Sequence, residues 1–191
     1  MKPLSDETFV RLRDAGLLGL EESIRVYEWL EVHKAGPENP VFQFVFRSYY
    51  RVDNAGLTTD WKVRYFEFLS RRESGLRTIL EGLYHIPTAR KVKSLQFSFA
   101  TKLLHTLDSG QPIYDSKVAE LLDLPVKKGK DFTANIDACI AVYEDLREAQ
   151  RQLLLDEGVK GKIAALKARY GSRISDEKAL DFLLWSAGKK Q

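Results

Sequence analysis

An all-α fold of about ten helices is what the sequence predicts, and three observations predict it. Apolar residues recur at helical spacing through most of the chain. Capping residues open these stretches and Gly or Pro closes them. Strand-like alternation is sparse, the clearest case being Phe42, Phe44 and Phe46. The 191 residues suit one all-α domain over 1–191, with no obvious linker, internal repeat or low-complexity tract.

The elements follow in order. "SDETFVRLRDAG" opens with Ser5 or Asp6 as a cap and stops at Gly16. "LEESIRVYEWLEVHKAGP" sets Leu20, Ile24, Tyr27 and Leu30 or Glu31 on one face and ends at Gly36-Pro37. "PVFQFVFRSYYRVDNAG" begins with Pro40, tolerated in a first helical turn, and is expected to end at Asn54 to Gly56. Its alternating phenylalanines make a short strand the competing reading. Its length favours a helix. "TTDWKVRYFEFLSRRE" takes Thr59 or Asp60 as cap and aligns Trp61, Tyr65, Phe66 and Leu69. "SGLRTILEGLYHIP" is a short helix closed by Pro87.

A basic connector, "TARKVKS", leads to a helix over about 95–107, the turn "DSGQP" and a helix over about 115–123. After the basic loop "VKKGKD" comes the longest helix, roughly 132–156, with Ile136, Ile140, Tyr143 and Leu146 on one face. It is expected to be interrupted by Gly158 and Gly161. "VKGKIAALKARYG" and "SDEKALDFLLWSAG" complete the chain, the latter capped by Ser175 with Glu177 close to the capping-box position.

Composition excludes several classes. Hydrophobic residues make up 44% and charged residues 30%, the balance of a soluble globular protein. No apolar run approaches a membrane span, so no membrane partner is expected. The start "MKPLSDETFV" carries two acids and no apolar core, which predicts no secretory signal. A single cysteine, Cys139, excludes an internal disulfide, a four-cysteine zinc site and a cysteine-ligated iron–sulfur cluster, and fits the cytoplasm. The net charge of +3 says little; the placement of charge says more.

The stretch "LQFSFATKLLHTLDSGQPIYDSKVAELLDLP" carries the most chemistry. Its apolar helix breaks at "PIYD", placing Asp115 at the mouth of the next helix. A carboxylate there accepts backbone N–H groups and lies in the positive end of the helix dipole, both of which favour its ionised form. It is then either an ordinary cap or a carboxylate held still for chemistry. A fixed anion is what cleavage of a nucleotide N-glycosidic bond requires, because the sugar turns cationic as the base departs.

With "FSFATKLLHTL", "DSGQP", "IYD" and "SKVAELLDLP" in this order, the chain resembles the helix-hairpin-helix–Gly/Pro/Asp superfamily of DNA glycosylases over roughly residues 40–187. The tail "DEKALDFLLWSAG" is similar to that of the small 8-oxoguanine glycosylases. The resemblance implies a glycosylase-like all-α fold, an active site in a cleft between two helical subdomains lined by 40–55 and 90–120, and Asp115 as the catalytic carboxylate. Two departures stand out. The hairpin of the family is glycine-rich, whereas this chain has Ile86-Pro87-Thr88-Ala89-Arg90, so charge from Arg90, Lys91 and Lys93 would replace amide contacts to phosphate. Bifunctional members also carry a Schiff-base lysine at the head of the preceding helix. Here that point falls on Gln96 or Phe97, with Lys93 too early and Lys102 too late. The resemblance therefore implies a monofunctional enzyme that needs no cofactor and leaves an abasic site, with Lys102 as nucleophile the minority alternative.

The partner this implies is duplex DNA with a flipped nucleotide. Candidates for the base pocket are Gln43, Phe46, Tyr50, Gln96 and Phe97, since flat apolar walls hold a base and an amide reads its edge. Most aromatics in such a chain must be core. Candidates for the DNA backbone are Arg90, Lys91, Lys93, Lys127 and Lys128, from two basic runs that bracket Asp115, together with Lys117 just past the Asp-Ser pair. Arg47 and Arg51, one turn apart, add to these. His33, His85 and His105 form no metal constellation, no H-x-E accompanies a C-x-x-C, and no Walker loop occurs, so no metal is expected. The rival readings are a non-catalytic helical DNA-binding module and an unrelated helical interaction protein.

Overall fold

The computed structural model describes residues 4–188. Ten α-helices account for its regular structure, and no strand occurs among the described residues. They are α1 (Asp6–Arg13), α2 (Glu21–His33), α3 (Pro40–Tyr49), α4 (Thr59–Ser70), α5 (Leu76–Tyr84), α6 (Phe97–Leu107), α7 (Ser116–Leu121), α8 (Phe132–Leu155), α9 (Glu157–Tyr170) and α10 (Asp176–Ala187). A 3-10 turn, Asp53–Ala55, lies between α3 and α4. Contacts divide the chain into two compact units, one built from 1–24 and 109–191, the other from 25–108.

In the first unit α10 packs on α7, α8 and α9, with α1 laid against α9 and α10. Its core holds Leu12, Ile136, Leu146, Leu153, Val159, Leu166, Leu180 and Leu183, all almost wholly excluded from water. Side chains of the termini tie the layers together. Arg11 donates to the Ala187 carbonyl at 2.8 Å, Ser186 to the Gly16 carbonyl at 2.9 Å, and Tyr170 to the Leu17 carbonyl.

Asp156 produces the break between the two longest helices. Its backbone is extended (φ −73°, ψ 125°), so it ends α8 and serves at once as the N-cap of α9, accepting the Val159 N–H at 2.9 Å. The expectation that Gly158 and Gly161 interrupt the helix is thus corrected: both lie inside the first turns of α9. Gly158 serves packing instead, since a Cβ there would run into the Arg13 side chain, which reaches Asp156 at 2.7 Å.

The second unit is organised by aromatic rings. Phe46 contacts Phe42, Tyr50, Tyr65 and Phe66, and Trp61 stacks on Tyr65 at 5.2 Å. The four residues expected on one face of α4, Trp61, Tyr65, Phe66 and Leu69, are all buried. The α4 cap is Thr58, one residue before the expected Thr59 or Asp60; its hydroxyl accepts the Trp61 N–H at 3.3 Å. The segment with alternating phenylalanines is helical, and the alternation fails at Phe44, which is 62% exposed.

α3 also ends sooner than Asn54 to Gly56. Arg51 adopts a left-handed backbone (φ 56°), and the Val52 N–H reaches back to the Arg47 carbonyl at 2.8 Å, the closing bond of a Schellman motif. Arg72 after α4 and Asp123 after α7 repeat the arrangement, with Glu73 N–H on Phe68 O and Leu124 N–H on Ala119 O, both at 2.9 Å. In all three, a residue with a side chain occupies the place glycine fills most easily.

Candidate functional site

The break at "PIYD" has a packing cause. Ile113 is 6% exposed, and Tyr143 on α8 donates toward the Pro112 carbonyl (3.4 Å) and Gln111 Oε1 (3.3 Å), pinning the turn to that helix. Tyr114 donates to the Leu124 carbonyl at 3.4 Å, bridging the two ends of α7. Burial holds its phenol above the usual range, and the Asp115 charge adds a smaller push in the same direction.

Asp115 follows with an extended backbone (φ −130°, ψ 150°) and caps α7, its Oδ1 accepting the Lys117 N–H at 2.8 Å. The residue is half-buried. Oδ2 has no partner among the described residues. The cap reading of this residue is therefore correct as far as one oxygen goes. The Lys117 side chain turns away from the carboxylate and lies over the Trp185 ring, its Nζ 4.8 Å from the centroid. Gly188 permits this approach of α10 to α7: a Cβ there would sit 3.0 Å from the Lys117 Cβ and 3.1 Å from its carbonyl.

The candidates for a base pocket all lie in the second unit. Phe46 is wholly buried within the aromatic core and is assigned to packing, because Tyr50, Tyr65 and Phe66 already occupy its surroundings. Tyr50 and Phe97 are also buried, at 8% and 6% exposure. Gln43 donates to the Pro37 carbonyl at 3.0 Å, which holds the entry to α3. Gln96 stands just before α6 without capping it, its amide on Ser94 Oγ at 2.6 Å. Both amides are half-buried.

Lys102 has a setting the sequence did not reveal. Its ammonium donates to Ser98 Oγ at 3.0 Å and lies 4.9 Å from the Phe99 ring and 5.8 Å from the Tyr50 ring. Helical spacing places Ser98 and Lys102 on one face, but Tyr50 comes from α3 and only tertiary packing brings it there. Three residues on, His105 is buried, its Nε2 3.0 Å from the Tyr27 hydroxyl. His33 stacks on Trp29 at 4.0 Å and bonds that residue's carbonyl, while His85 is exposed. No group of three His, Cys, Asp or Glu residues suited to a metal occurs among the described residues.

The cations divide into two groups. Arg90, Lys91 and Lys93 are exposed on the loop before α6, and Lys127 and Lys128 on the loop before α8. The second loop is folded against its helix: Asn135 Oδ1 accepts the Gly129 N–H at 3.0 Å, and a Cβ on Gly129 would meet the Ala134 carbonyl carbon at 2.6 Å. Arg47 is occupied, since it shares Asp53 with Lys62 at 3.2 and 2.6 Å. The Lys62 bond is the largest influence lowering the Asp53 pKa. A groove beside Leu154, Ile163, Lys160 and Lys167 runs along α8, α9 and α10, and its lining does not include Asp115. Buried Cys139, its thiol pushed up to about 11 by desolvation, is poorly suited to nucleophilic work.

No family model, curated protein or solved structure matches the chain. No helix among the described residues is long and apolar enough to cross a membrane.

Proposed function

We propose that the chain is a monofunctional DNA glycosylase that releases a damaged or modified base and uses Asp115 as its carboxylate. The observation that carries the reading is the division of labour on that side chain. Oδ1 is held by the Lys117 amide at 2.8 Å, which fixes the group in place, while Oδ2 has no partner among the described residues. A carboxylate so anchored shelters positive charge at the sugar C1′ as the N-glycosidic bond breaks. Water then forms the new C1′–O bond, passing its proton to the carboxylate, and an abasic site remains. The exposed cations Arg90, Lys91, Lys93, Lys127 and Lys128 suit contact with phosphate, and Lys117 joins them if it leaves the Trp185 face. Repair of the cell's own DNA and attack on modified foreign DNA both fit this chemistry.

The test is incubation with duplexes carrying natural and modified bases, followed by alkali. The reading expects alkali-labile breaks at one class of base. Unbroken strands across the panel, with DNA binding intact, would favour a non-catalytic DNA-binding module instead.

A second reading is favoured by the Lys102 setting. In this reading the Lys102 amine, which lies beside Ser98 and two aromatic rings, attacks the sugar C1′ after losing a proton, which would make the enzyme a glycosylase and lyase. Borohydride separates the two. A covalent DNA adduct that disappears in Lys102→Ala supports the lyase, and no adduct in the wild type supports the monofunctional enzyme.

A further inference from the structure

Among the described residues, four other than glycine hold a left-handed backbone, and three of them are cations: Arg51 (φ 56°), Arg72 (φ 54°) and Lys91 (φ 58°). A side chain in this region costs free energy that glycine would spare. Arg51 and Lys91 lie on two loops that are directly joined. The Ala89 N–H donates to the Gly56 carbonyl at 2.8 Å, and Thr58 Oγ1 to the Pro87 carbonyl at 3.3 Å. The Lys91 turn is itself closed by Lys91 N–H on Thr88 O (2.8 Å) and Thr88 N–H on Val92 O (3.0 Å). Arg51, Arg90, Lys91 and Lys93 are all exposed, and none has an ion-pair partner among the described residues. Asp53, the acid within the first loop, is taken up by Arg47 and Lys62. From Gly82 to Leu107 the chain has no Asp or Glu at all.

We infer that these two joined loops form one platform for the phosphate backbone of duplex DNA, in which Arg51 works beside Arg90, Lys91 and Lys93. The inference deepens the reading of DNA as partner and rests on it. Cations stand at two positions where glycine would fold more easily, none of the four is ion-paired among the described residues, and the acid of the first loop is already paired. Such a surface suits a polyanion whose charges are closely and regularly spaced. A lipid surface fits less well, because Val92 is the one large apolar side chain exposed over residues 85–96, and interfacial binding draws on a wider apolar face.

The backbone geometry makes an unusual test possible. Arg51→Gly and Lys91→Gly each remove a cation and relieve strain together, so fold stability and DNA affinity should move in opposite directions. Measured by fluorescence anisotropy on a short duplex, each variant of the full chain should bind several-fold more weakly. The slope of log K against log salt should shrink by about 1, while the melting temperature stays level or rises. Arg72→Gly is the control. It relieves the same strain at the opposite end of the twelve-residue α4 and should leave affinity unchanged. Unchanged affinity and slope in both platform variants would overturn the proposal, as would tighter binding to anionic phospholipid vesicles than to DNA at equal salt. Weakened binding without base release by the wild type would keep the platform and sink the glycosylase. Base release by the wild type with platform variants indistinguishable from it would do the reverse.

Discussion

Asp115 accepts the backbone N–H of Lys117 at 2.8 Å, so its side chain closes a helix end whatever else it does. Asparagine caps about as well as aspartate, whereas alanine cannot cap. Chemical denaturation should therefore find Asp115→Asn within about 0.5 kcal/mol of wild type and Asp115→Ala destabilised by about 1 kcal/mol. If the asparagine variant is the less stable of the two, the cap is not what that oxygen contributes.

Asp156 joins α8 to α9, and its acid behaviour should show in unfolding. The Val159 N–H, then Arg13, holds its carboxyl below the ordinary range in the folded state. Its folded pKa is lowered, so the stabilisation is complete above the ordinary carboxylate value near 4 and fades as pH falls from there through the folded value. Asp156→Ala should cost about 1 kcal/mol at neutral pH through the lost cap. Stability measured at successive pH values below about 4 should fall less steeply in this variant than in the wild type. Parallel curves would contradict the assignment.

Tyr27 and His105 make the clearest buried polar pair of the second unit, with oxygen and Nε2 3.0 Å apart. Both residues are nearly inaccessible, at 2% and 1% exposure. Tyr27→Phe keeps the ring and removes the hydroxyl from the imidazole, a change expected to cost about 1–3 kcal/mol. Denaturant titration with an unchanged slope and a lower midpoint would fit that cost, and an unchanged midpoint would not.

Much of the helical order was legible because caps and apolar spacing are local signals. Ser5, Ser175 and Asp115 act where the sequence placed them, and Trp61, Tyr65, Phe66 and Leu69 share a buried face. The misread boundaries have backbone causes. Arg51 stops α3 in a conformation normally expected of glycine, and Asp156 breaks a helix while two nearby glycines continue one. The candidate site was less legible because side-chain company is a tertiary property. Nothing in "FSFATK" says that Tyr50 lies by Lys102, and nothing in "DSK" says that Lys117 lies over Trp185. Phe46 was equally ambiguous, since a core ring and a pocket wall look alike until their neighbours are known.

As proposed, the unpartnered oxygen of Asp115 does chemistry beyond the cap. Mass spectrometry of free bases released from DNAs with natural and modified bases, by wild type and Asp115→Asn side by side, tests it most directly. A base should be freed by the wild type and not by Asp115→Asn, while both proteins stay folded and bind DNA alike. Equal release by both, or none by either, would contradict it.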